Sequence, residues 1–63
     1  MIIKAGNRYA VNVDNETVSA TVQEMAHDTS NGVTGALCIM DDFDTYGLRV
    51  IYPTDFVADI TQA

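Results

Sequence analysis

The sequence predicts a small α+β domain in which a four-stranded, mainly antiparallel sheet carries one helix on one face. The element order is β-β-α-β-β, with a short C-terminal helix or strand to finish. Three observations predict it. Apolar and polar residues alternate over 8–13, as in a half-buried strand. Apolar residues recur at helical spacing over 18–26, behind cap-type residues. Two further strand-like runs follow at 33–40 and 46–52. At 63 residues the chain is one domain, 1–63.

Residues 2–13 read as a hairpin. Ile2-Ile3-Lys4-Ala5 and Arg8 to Val13 flank Gly6-Asn7, and glycine at the first loop position suits a type II′ turn. Tyr9, Val11 and Val13 share one face. Ile2 then pairs across from Val11, and Lys4 lies across from Tyr9 with its stem on the ring.

Asp14-Asn15-Glu16-Thr17 reads as a helix start. Asp14 or Asn15 can accept from an orphan N–H, and Glu16 suits the positive end of the dipole. Val18, Val22, Met25 and Ala26 form the apolar stripe. Thr29-Ser30-Asn31-Gly32 closes the helix, because Asn and Gly tolerate the left-handed conformation.

Val33 to Met40 reads as a central strand, since Leu37 and Ile39 alternate with Ala36, Cys38 and Met40 and both faces are apolar. Asp41 to Thr45 is a turn. Tyr46 to Tyr52 is the fourth strand, which Pro53 stops. In the tail, Phe56, Val57 and Ile60 fit a short helix capped by Thr54, the preferred reading. Phe56, Ala58 and Ile60 fit a strand. The second strand, the helix and the third strand would make a right-handed crossover with the helix on one sheet face. Ala10, Ala36, Cys38, Met40 or Ile51 would lie on the other.

Asn31-Gly32-Val33-Thr34-Gly35-Ala36-Leu37, after a helix and opening a strand, resembles the segment that opens the second strand of BLUF flavin-binding photoreceptors. The resemblance implies a β-α-β crossover. The chain carries no match to that family's flavin-contacting Tyr and Gln, so flavin binding is not carried over and no cofactor is expected.

Composition narrows the function classes. Nine carboxylates face three basic residues, Lys4, Arg8 and Arg49, for a net charge of −6. That sign disfavours nucleic acid or an anionic membrane as a direct partner and favours a basic protein. One cysteine excludes an internal disulfide, and one histidine leaves no Cys/His zinc set. The lone thiol, the lack of a signal-like start and the lack of a long apolar run point to the cytoplasm. A chain this short buries only about 60% of its unfolded surface, so a partner or a second copy would help to hold it.

The candidate chemistry is sparse. Asp42-Phe43-Asp44-Thr45-Tyr46-Gly47 opens like a calcium loop, but Tyr46 replaces a carboxylate and Pro53 stands where a bidentate Glu is needed, so no metal is expected. Cys38 sits among apolar neighbours, and a Cys38–His27 dyad lacks an orienting third group. Gly32-Val33-Thr34-Gly35 lacks the lysine of a phosphate loop. No catalytic residue is expected, and the chain is read as a non-enzyme.

What the sequence does offer is an acidic, aromatic turn. Asp41, Asp42, Phe43, Asp44 and Tyr46, with Asp55 and Asp59 in the tail, are the expected partner-binding residues. The reading is a non-enzymatic acidic protein-binding module. Its sharper form is a small phage-type inhibitor, of the anti-CRISPR, anti-restriction or DNA-mimic kind, that occupies a basic nucleic-acid-binding surface. The alternative is a structural or regulatory homodimer formed through a sheet face or edge.

Overall fold

The computed structural model describes residues 1–27 and 34–62. It is a five-stranded antiparallel sheet. The strands are β1 (Arg8–Val13), β2 (Glu16–His27), β3 (Thr34–Met40), β4 (Leu48–Ile51) and β5 (Phe56–Asp59). A one-turn helix, α1 (Phe43–Tyr46), joins β3 to β4, and a 3₁₀ turn (Pro53–Asp55) joins β4 to β5. The sheet order is β4-β3-β2-β1-β5.

The predicted α+β fold is therefore wrong. Residues 16–27 form the longest strand, not a helix, so among the described residues the expected long helix on the sheet face is absent and the strands pair antiparallel without a β-α-β crossover. The expected closing segment, 29–32, lies outside the described residues. Asp14 and Asn15 do not cap a helix. They are the two central residues of a tight hairpin, with φ of 51° and 67° between the paired Val13 and Glu16. Positive φ at both positions is the signature of a type I′ turn, which Asp and Asn tolerate.

The first predicted hairpin also fails. Residues 2–5 are not a strand, and β1 pairs with β2 and β5 instead. Gly6 does take a positive φ of 88°, but within a turn in which the Asn7 N–H donates to the Lys4 carbonyl. The N-terminal segment wraps the Tyr9 hydroxyl, which accepts from the Lys4 N–H at 3.0 Å and donates to the Ile2 carbonyl at 3.2 Å. In the tail, the strand alternative is the one observed over Phe56–Asp59, and the preferred helix is not formed; a 3₁₀ turn at Pro53–Asp55 precedes the strand.

β2 is long enough to serve two neighbours. It pairs with β1 over Glu16–Thr21 and with β3 over Ala20–His27. Val22 lies opposite Cys38 but Glu24 lies opposite Leu37, so Gln23 is an extra residue, a β-bulge. The bulge switches the inward parity of β2. Ala20 and Val22 point inward before it, whereas Met25, opposite buried Ala36, shares that side after it. Without the extra residue, Glu24 would take the inward position.

The sheet must curl. β4 and β5 are its two edges, and a flat five-stranded sheet would hold them about 19 Å apart. Only residues 52–55 connect them. Fully extended, the five Cα steps from Ile51 to Phe56 reach about 17–18 Å, and the 3₁₀ turn shortens that.

Curling puts the core on the inner side: Tyr9, Val11, Val13, Ala20, Val22, Ala36, Cys38, Met40 and Ile51. Several of these were expected on the face away from a helix. Small residues on β3 suit the tight inner radius, while the larger Leu37 and Ile39 turn outward. There Leu37 pairs with Val50 and Ile39 with Leu48. Leu48 and Val50 are exposed on the edge strand. No described helix is long and apolar enough to cross a membrane.

Candidate functional site: an acidic end

Carboxylates gather at one end of the curled sheet. The β1–β2 turn supplies Asp14 and, just past it, Glu16. The turn sits there because a two-residue loop projects its central side chains away from the strands. Asn12, Asp14 and Asn15, with Asp55 from the 3₁₀ turn, line an open polar cleft of about 520 Å³.

α1 closes on the same end. Asp42 caps it by accepting from the Thr45 N–H at 3.2 Å, and Asp44 lies exposed in its only turn. The Tyr46 hydroxyl donates to Glu16 across 2.7 Å. That bond holds the phenol proton and raises the Tyr46 pKa, with smaller contributions from the charges of Glu16, Asp42 and Asp14. The Tyr46 phenol thus senses carboxylates from two segments of chain, the β1–β2 hairpin and the start of α1.

One cation sits among them. Arg49 donates from Nε to the Tyr46 carbonyl at 3.1 Å and reaches Asp14 from a terminal nitrogen at 3.4 Å. Its guanidinium lies 5.8 Å from the centre of the Tyr46 ring.

The sequence-predicted residues divide. Asp42 and Tyr46 belong to this end, Asp55 joins them through the cleft it shares with Asp14, and Asp44 lies exposed on α1 beside them in sequence. Phe43 is 54% exposed, whereas Tyr46 is half-buried and packs against the core. Asp41 leaves the set: both its oxygens are taken by Arg8, at 2.6 and 3.1 Å. The Arg8 hydrogen bonds pull the Asp41 carboxyl below its ordinary pKa. Asp59 also leaves it. Paired with Tyr9 at the other end of β1, it accepts from the Thr61 N–H at 2.9 Å, and hydrogen bonding by the Thr61 side chain, then by that N–H, lowers its pKa.

Sequence reasoning missed Asn12, Asp14, Asn15, Glu16 and Arg49. The available signal was the Asp-Asn pair between two β-branched runs, which marks a tight hairpin as well as a helix cap.

The Cys38 thiol and the His27 position lie apart. Cys38 is buried, its thiol contacts the Ala36 carbonyl at 3.5 Å, and burial raises its pKa. His27 pairs with Thr34 at the start of β3, roughly 13 Å along the strand from Cys38. Among the described residues no cluster of three His, Cys, Asp or Glu side chains could hold a metal ion. The chain matches no protein-family model, no curated protein and no solved structure.

Proposed function

We propose that this chain is a non-enzymatic protein-binding module whose acidic end docks on a basic surface of another protein. One observation carries the reading. The β1–β2 hairpin (Asp14, Glu16), the start of α1 (Asp42) and the 3₁₀ turn (Asp55) bring carboxylates to one end, and Arg49 pairs with Asp14 there. Such a surface steers a basic partner and repels anionic polymers. The basic partners a cell offers most readily are nucleic-acid-binding proteins. In its sharper form the module therefore occupies such a surface in place of the nucleic acid. A cytoplasmic setting belongs to this reading and rests on the lone cysteine.

The test is capture from a lysate of the source cell with two baits: the native chain and a variant carrying Asp14→Asn, Asp42→Asn, Asp44→Asn and Asp55→Asn. The expected result is a basic protein held by the native bait, released by salt and lost with the variant. The native chain should also compete with that protein's nucleic acid. Equal capture by both baits would sink the acidic reading.

A homodimer is the second reading. In its favour, the outward Leu37–Val50 and Ile39–Leu48 pairs border β4, an edge strand with a free hydrogen-bonding side and no carboxylate. Sedimentation at micromolar concentration separates the two readings. A dimer abolished by Leu48→Lys would support the second, and a monomer would remove it.

A further inference from the structure

A cation is the wrong charge for a face that meets cations, yet Arg49 lies against Asp14 and Tyr46 within it. We infer that Arg49 is a positioning residue, whose guanidinium holds α1 and the β1–β2 turn together as one acidic face. The inference rests on the proposed function and names a residue that function requires.

The contacts form a closed circuit. From β4, Nε–H of Arg49 binds the Tyr46 carbonyl, the last residue of α1, at 3.1 Å. A terminal nitrogen reaches Asp14, on one side of the turn, at 3.4 Å. Tyr46 completes the ring through its hydroxyl, 2.7 Å from Glu16 on the other side. The guanidinium also lies over the Tyr46 ring. Three elements are thereby tied by two side chains.

Each tie alone is weak. The Arg49 and Asp14 side chains are 37% and 67% exposed, and exposed pairs contribute little. The strength of the arrangement lies in one planar group serving three contacts at once. Lysine cannot reproduce it, because its ammonium has neither the fork nor the flat face. α1 has reason to need it: a single helical turn has little stability of its own.

Arg49→Lys is the informative variant because net charge is unchanged. Amide hydrogen exchange is read at Tyr46 and Gly47, whose N–H groups bond Asp42 and Phe43 carbonyls within α1. Exchange there should accelerate about threefold, the effect of losing an exposed tie of this size. The core amides of Val11 and Val22 should keep their rates. Acceleration everywhere would mean a merely structural role, and no acceleration would mean no clasp; either overturns the inference.

Affinity for a nona-arginine peptide, read by calorimetry, should fall about threefold in Arg49→Lys. If affinity holds while α1 loosens, Arg49 does not position the binding face. The four-carboxylate variant separates this failure from that of the proposed function. If it binds the peptide as tightly as the native chain, the acidic reading itself fails. If it binds weakly and Arg49→Lys matches the native chain, only the positioning role fails.

Discussion

The Tyr9 and Phe56 rings meet edge to face, with centroids 5.2 Å apart and planes at 89°. Tyr9 is fully buried in β1, and Phe56 is the first residue of β5, the strand that returns from the far edge of the sheet. The contact fastens the closing strand to the core. Phe56→Ala should lower the free energy of unfolding by about 2 kcal/mol, less than for a fully buried ring because Phe56 is only half-buried. Urea denaturation measures it. In exchange experiments the β5 amides should lose protection first. An unchanged urea midpoint would show that β5 does not need this contact.

Gly35 lies directly under Val50. A Cβ added there would stand 2.6 Å from Val50 Cγ1 and 3.2 Å from the nearest Tyr52 ring carbon. Replacing a strand glycine with alanine normally helps by reducing unfolded-state freedom. Here the overlap wins, and Gly35→Ala should cost about 1–2 kcal/mol. Val50→Ala in the same chain should restore most of it, because the clashing methyl is gone. A double-mutant cycle read by thermal unfolding checks the coupling. Additive losses would mean that the two side chains do not meet.

The fold class was misread because β2 imitates a helix. Its residues on the inner side are Val18, Ala20, Val22 and, past the Gln23 bulge, the exposed Met25. A spacing of two, two and three places Val18, Val22 and Met25 at i, i+4 and i+7, a helical stripe. Ala20, small and favourable in helices, does not break the pattern. The contrary signal was β-branching at Thr17, Val18, Thr21 and Val22. β1, β3 and the centre of β4 were legible because unbulged alternation has no helical counterpart, but β4 begins at Leu48 rather than Tyr46, since Asp42 caps Phe43–Tyr46 into the helical turn α1. The acidic α1 segment was legible from composition alone. The other half of the acidic end was not, since the same side-chain oxygens that make Asp14 and Asn15 good caps also make them good turn residues.

Asp41 gives the fold a pH dependence. The Arg8 hydrogen bonds pull its pKa below the ordinary 3.8. A depressed carboxylate stabilises the fold above that ordinary value, and the contribution is lost as pH falls through the folded-state pKa. The matching rise in the Arg8 pKa is lost only in strong alkali, so it adds no pH dependence on the acid side. Both side chains are more than a third exposed, so the contribution is small and salt weakens it. Asp41→Asn should therefore lower the urea midpoint slightly near neutral pH. The gap between variant and native chain should close in acid and narrow in high salt. A gap that persists in acid would assign the effect to packing rather than charge.

Asn15 tests whether the hairpin turn limits stability. Its φ of 67° is a left-handed conformation that costs most L-residues about 1–2 kcal/mol, Asn less and Gly nothing. Asn15→Gly also converts the turn to Asp-Gly, a favoured type I′ pair. Against this stands the greater freedom of glycine in the unfolded chain. The relief should prevail, for a net gain of about 0.5 kcal/mol. Asn15→Val should lose about 1–2 kcal/mol, because a β-branched residue fits this region worst. Thermal unfolding of the pair gives the order Gly above Asn above Val. Asn15 lines the polar cleft but bears no charge, so capture of a basic partner should be unchanged by the glycine variant. A destabilised glycine variant would show that the Asn15 side chain contributes more to the turn than its backbone costs.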